Sequence, residues 1–298
     1  MKNFLILSIL SFFCLTNCTS QAGTERQMGS SSKTEKDTSE NNRYSWLQSY
    51  EPDNMLVNRI PVPKGFVRMK VTKSSFADWL RHIPLKPGNP EVMLYNGSPK
   101  SNQTAQAAVL NIDVGNEDLQ QCADAVMRLK AEYHFSKNEP ARIHFRFTSG
   151  DPAEYSQWIE GYRPVVKDNK VSWVKKASKD RTYKGFRSYM NAVFRYAGTS
   201  SLTKEMNYKS PSKMQPGDVF IKGGFPGHAV IVMDMAVDTV SGDKLFMLAQ
   251  SYMPAQDIHI LRNPDEENTP WYRIPEGEWL HTPEWTFKVS DLKSFTVE

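Results

Sequence analysis

Three cysteines in 298 residues are too few for a disulfide framework, and two of them, Cys14 and Cys18, fall in the first eighteen positions. Once a leader is removed and Cys18 is modified, Cys122 is the one thiol left, and no internal bridge can form. The chain also lacks HExxH, CxxC and any paired-His spacing among its six histidines, so no metal site is expected and no cofactor is called for. Lys and Arg (37) nearly balance Asp and Glu (33), and no basic stripe with interleaved aromatics appears. Nucleic acid is therefore excluded as a partner. There is no internal repeat, and the apolar run at the start is too short to span a bilayer as a helix.

That run does have a meaning. Met1-Lys2-Asn3 followed by twelve mostly apolar residues has the basic start and apolar middle of a secretory signal. It ends in Leu15-Thr16-Asn17-Cys18, which resembles the lipobox of bacterial lipoproteins, with Asn17 where Gly or Ala is usual. The resemblance implies a signal over 1–18, lipidation of Cys18, and a protein held to a membrane of the bacterial cell envelope through its N-terminal lipid. From 19 to 43 the chain is Ser, Thr, Gly, Glu and Lys with almost nothing apolar, a composition that cannot offset its ordering entropy and reads as a tether. Residues 44–298 are then a single domain, and at 39% hydrophobic residues overall the chain can bury one sizeable core.

Within that domain the spacing predicts helices over 74–81, capped by Ser74 or Ser75, from Cys122 onward, and over 186–196, ended by Gly198. Strands are expected within 57–68, at 92–95, 107–112, 143–147, 218–221, 229–233, 244–248, 258–261 and 286–289, with 149–164 a turn region and Trp271, Trp279 and Trp285 in loops. The balance of elements is α+β.

Two stretches carry chemistry. Cys122 opens a helical pattern with apolar residues at 122, 125, 126, 129 and 133, and a thiol at a helix N-terminus has its pKa lowered by the macrodipole. A Gly-Gly-Phe-Pro-Gly loop delivers His228 to the mouth of a strand, and the strand from Lys244 ends at Gln250. If the two strands pair antiparallel, Gln250 comes beside His228 and can orient its imidazole. Asp234 on the His228 strand lies about 20 Å away and is out of reach; Asp257 is the fallback. His82, His134, His144 and His281 read as surface or packing residues, and His259 as structural. On the cysteine alone, a small buried hydrophobe is an equal reading.

Gln120-Gln121-Cys122 opening a helix, Gln215-Pro216-Gly217-Asp218-Val219 before Gly227-His228-Ala229-Val230-Ile231-Val232, and a polar residue ending the next strand together resemble the papain-like amidases and peptidases of the CHAP and NlpC/P60 type. The resemblance implies a Cys-bearing helix packed on an antiparallel sheet, with Cys122 as nucleophile, His228 as base, Gln250 as orienting residue, and Gln120 or Gln121 as oxyanion donor. It also implies an insertion around 140–212, since Cys122 and His228 are further apart than in compact members. The wording of the chain, notably LAQSYMPAQDIHIL and SGDPAEYSQWIEGYRP, also resembles the bacterial lipoprotein family called domain of unknown function 4846. The expected function is a thiol-dependent hydrolase of the envelope, with peptidoglycan peptides as the substrate class. The rival is a non-catalytic lipoprotein that binds a ligand through Trp158, Tyr162, Trp271 and Trp279.

Overall fold

Residues 219–221, 229–236 and 245–249 are apolar or nearly so throughout, the composition of strands covered on both faces, and all of them are buried. They form the centre of the molecule. A computed structural model describes residues 43–168, 170–266 and 269–296. The expected leader, lipidation at Cys18 and nearly all of the tether lie outside these residues; Arg43, the last tether position, donates to Asp78 Oδ2 at 2.9 Å.

In chain order the elements are α1 (Leu56–Arg59), β1 (Phe66–Arg68), α2 (Phe76–Arg81), β2 (Gln106–Val109), α3 (Cys122–Ser136), β3 (His144–Arg146), β4 (Pro152–Glu154), α4 (Tyr155–Ile159), β5 (Tyr162–Lys167), β6 (Lys170–Lys175), α5 (Tyr183–Tyr196), α6 (Thr199–Glu205), β7 (Met206–Tyr208), β8 (Val219–Lys222), β9 (His228–Asp238), β10 (Lys244–Gln250), β11 (His259–Leu261), β12 (Trp271–Arg273), β13 (Trp279–His281), β14 (Thr286–Lys288) and β15 (Leu292–Phe295). The main sheet runs β2-β11-β10-β9-β8-β15-β7, with β1 added on β9 and β12 on β10, and its pairings are antiparallel.

Side-chain alternation gives each face its own cover. Ala229, Ile231 and Met233 of β9 pack with Val126 and Leu129 of α3, while Val230 and Val232 pack with Phe246, Phe287 and Leu280 beneath the β13–β14 hairpin. A register shift opposite Met247 and Leu248 leaves Met233 as the extra residue of a bulge, so Met235 and Ala236 resume the alternation with the opposite parity. The Cys122-bearing helix thus lies on one face of a mainly antiparallel sheet. The 140–212 stretch supplies the β3–β4 and β5–β6 hairpins with α4, α5 and α6.

Some expectations need correction. Residues 56–59 are a helical turn, and only Phe66–Arg68 of the 57–68 stretch is a strand. The 149–164 stretch holds a short strand, then α4 and the start of β5, because Tyr155, Trp158 and Ile159 bury one helical face. Residues 92–95 make only isolated bridges at Met93 and Leu94. Gly198 follows α5 but serves as the N-cap of α6, whose apolar content is little more than Leu202. Trp271 and Trp279 open β12 and β13 instead of lying in loops.

Candidate active site

Asp124 Oδ2 accepts the backbone N–H of Gln121 at 3.0 Å and so closes the first turn of α3, with Cys122 its first residue. Cys122 is half-buried, the sole cysteine in the described residues, and it borders a groove of about 390 Å³ with Asp118, Gln121, Thr199, Gly227 and Met253. Burial, followed by the charge of Asp124, pushes the thiol up to about 11, against the smaller opposing effect of the backbone N–H groups of Ala123, Ala229 and Cys122 itself. The expected lowering at the helix N-terminus is therefore overturned. A rise of that size costs the anion ~3 kcal/mol, whereas a helix N-terminus returns about 0.3–1 kcal/mol. The Ala229 contact also fixes where the sulfur lies, against the main chain one residue beyond His228.

His228 is 2% exposed at the start of β9, and Gln250 is 1% exposed at the end of β10. Antiparallel pairing sets Ala249 opposite Ile231, which brings Gln250 Oε1 to 2.8 Å from His228 Nε2. Burial holds the His228 imidazole down at about 4, so it is neutral at pH 7, while the bond to Gln250 works the other way. Tyr252, Trp285 and Phe287 wall the ring, with centroids 4.6, 5.3 and 5.8 Å away. Tyr252 spans the site, since ionised Cys122 is one of the charges that raise its phenol, after burial and Glu284.

The two glutamines before Cys122 part company. Gln121 borders the groove and donates its Nε2 to Asp118 Oδ1 at 3.1 Å. Gln120 is buried behind the turn, where its Oε1 accepts from Arg128 Nη1 at 2.7 Å and its Nε2 has no partner among the described residues. Asp257 is engaged elsewhere, by Lys86 Nζ at 2.7 Å and the Met93 N–H at 3.0 Å. Asp234 is fully buried and accepts from Arg68 Nε and Arg81 Nε, each at 2.7 Å, a structural ion cluster.

The family model for the domain of unknown function (4846) matches residues 56–294. The chain belongs to this family. No curated protein and no solved structure matches it. The match runs from α1 into β15, so the whole of the site just described lies inside the 4846 domain.

Sequence reasoning missed the residues behind Gln250 in this 4846 domain. Gln250 Nε2 donates to Glu284 Oε2 at 2.7 Å, and the same oxygen lies 2.5 Å from Lys100 Nζ. Asn102 Nδ2 reaches Glu284 Oε1 at 3.2 Å. Glu284 sits in the β13–β14 turn and Lys100 in the loop before β2. Neither stands in a local pattern that would single it out. His259 is wholly buried on β11 directly opposite Gln250, with its Nε2 3.4 Å from Gln250 Nε2. Of the aromatic residues, Trp158 and Trp271 are 6% and 2% exposed and belong to the core, while Trp279 is 48% exposed.

Proposed function

We propose that this 4846-family chain is a thiol-dependent amidase or peptidase of the papain-like CHAP or NlpC/P60 type. The observation that carries the reading is the neutral, hydrogen-bonded His228–Gln250 pair at the start of β9, together with a half-buried thiol that opens a helix, faces a groove and lies against the Ala229 main chain. The amide oxygen of Gln250 can only accept, so His228 Nε2 carries the proton and Nδ1 carries the lone pair. A base in this form accepts the Cys122 proton as Sγ attacks the carbonyl carbon of the scissile amide. With the thiol pushed up to about 11 and the imidazole down to about 4, the resting pair is uncharged, and proton transfer accompanies attack instead of preceding it. The carbonyl oxygen becomes an oxyanion that the N–H groups of the first turn of α3 and the Gln121 amide would serve, a contribution of about 3 kcal/mol per donor. Collapse breaks the C–N bond, the departing amine takes the proton back from His228, and water, activated by the same imidazole, hydrolyses the thioester.

An envelope setting follows from lipidation at Cys18, and peptidoglycan peptides are the substrate class that setting offers. The rival, ligand binding on aromatic loops, is weakened because Trp158 and Trp271 are core residues. Incubation with purified peptidoglycan stem peptides should generate new amine termini with the wild-type chain and none with Cys122→Ser. Equal cleavage by the two proteins would overturn the reading.

A further inference from the structure

We infer that Glu284 and Lys100 are positioning residues that decide which nitrogen of His228 holds the proton, by fixing the direction of the Gln250 amide. The inference rests on the hydrolase reading for its effect on rate, but not for its geometry. A primary amide is nearly symmetric in shape, so Gln250 could present either its oxygen or its NH2 to His228. Presenting NH2 would force the neighbouring imidazole nitrogen to carry the lone pair, and the proton would move to the nitrogen needed as base. What chooses between the two is behind the amide.

Glu284 Oε2, 2.7 Å from Gln250 Nε2, is an ionised acceptor held by Lys100 at 2.5 Å, and the two side chains are 15% and 7% exposed. With the amide reversed, two oxygens would face each other at that distance. His259 is compatible with this direction but too distant to set it, since its Nε2 lies 3.4 Å from Gln250 Nε2, beyond the ordinary hydrogen-bond range. Its Nδ1 lies 2.9 Å from the carbonyl of Asp257, which can only accept, so Nδ1 bears the hydrogen and Nε2 presents a lone pair to Gln250. The Gln250 NH2 therefore has acceptors on both sides, Glu284 the near one, and its oxygen is left for His228. The relay Lys100–Glu284–Gln250–His228 needs no charge on Gln250, because the charge that directs it sits one residue back.

Removing one partner of a buried ion pair leaves an uncompensated charge, whereas replacing both with apolar groups of similar shape is often tolerated. The test is therefore the double variant Lys100→Met/Glu284→Leu in the full chain, with nitrogen-15 imidazole spectra of His228. The wild type should show one form, Nε2 protonated. The double variant should show a mixture of tautomers, with kcat for peptide hydrolysis lowered roughly tenfold or more and KM within about twofold. Adding Gln250→Glu should restore the Nε2-protonated form, since either carboxylate oxygen can accept. Should the double variant fail to fold, Lys100→Leu/Glu284→Met, which also removes both the charge and the acceptor, should relax the tautomer in the same direction. A single Nε2-protonated form that persists in the folded variants, or a wild type that is already mixed, overturns the inference. Absence of hydrolysis by the wild type bears on the hydrolase reading alone, because the spectra do not depend on turnover.

Discussion

Ser251 Oγ lies 2.8 Å from the carbonyl oxygen of Gln120, a buried contact across 131 residues of chain. It ties the residue after Gln250 to the residue two before Cys122, so the orienting amide and the thiol turn share one frame. The same hydroxyl is 2.8 Å from the Gln256 carbonyl, so its single hydrogen is shared between the two carbonyls and the loop leaving β10 lies against that frame. Two parts of the site far apart in the chain are thereby set relative to each other by one side-chain hydroxyl and a main-chain carbonyl.

A base and its orienting residue should differ in weight. His228→Ala should lower kcat for peptide hydrolysis about 10²- to 10⁴-fold. Gln250→Ala should lower it by less, because the amide orients the imidazole without adding charge to stabilise its cation. Steady-state kinetics on the two purified variants check this order, and an equal loss in both would assign Gln250 a larger part than orientation.

The thiol should behave as one whose ionisation is suppressed. With Cys122 pushed up to about 11, the rate of iodoacetamide labelling should be slow at pH 7 and climb through pH 9 without a plateau. Labelling followed by intact mass gives the profile directly. A plateau below pH 7 would mean that His228 or the helix N-terminus stabilises the thiolate after all.

Acid should destabilise the domain through two imidazoles. His228 and His259 are held at about 4 by burial, whereas an unfolded imidazole titrates near 6.5. As the pH falls the unfolded state therefore gains protons first. Stability is full above about pH 7, declines between about 6.5 and 4 at up to ~1.4 kcal/mol per pH unit for each histidine, and levels off below. Asp124, whose carboxyl burial pushes well above the usual range, works in the opposite direction and offsets part of the slope. Urea midpoints from pH 7.5 to 4.5 should fall, and His259→Gln should flatten the decline. A midpoint that holds or rises over this range contradicts the assignment.

The envelope setting has its own test. Cys18→Ala should move the protein from the membrane fraction to the soluble one. Retention on membranes after a high-salt wash would mean that something other than a lipid holds it there.

How far the sequence could be read depends on what each feature requires. His228 and Gln250 were legible because two apolar strands with one short connection put the start of one beside the end of the next, a relation that needs only antiparallel pairing. The helix at Cys122 was legible from its apolar spacing. Glu284 and Lys100 were not, since a hairpin turn and a loop far away in the chain bring them to Gln250 and neither interrupts a pattern. The thiol pKa was misread for the same kind of reason: the helix N-terminus is a local property, while the burial that outweighs it is made by groups from elsewhere in the fold. Helix α4 was hidden because its three buried aromatic and aliphatic residues follow a turn-like Ser-Gly-Asp-Pro, and α6 because it has almost no apolar face.

The most direct measurement is the rate at which a peptidyl vinyl sulfone forms a thioether on Cys122, followed by intact mass and peptide mapping in the wild type and in His228→Ala. If His228 is the base for Cys122, the wild type should react about 10²-fold faster or more, with the adduct on that residue alone. Equal rates in the two proteins, or no adduct where iodoacetamide labels the same thiol, would contradict a Cys122–His228 hydrolase.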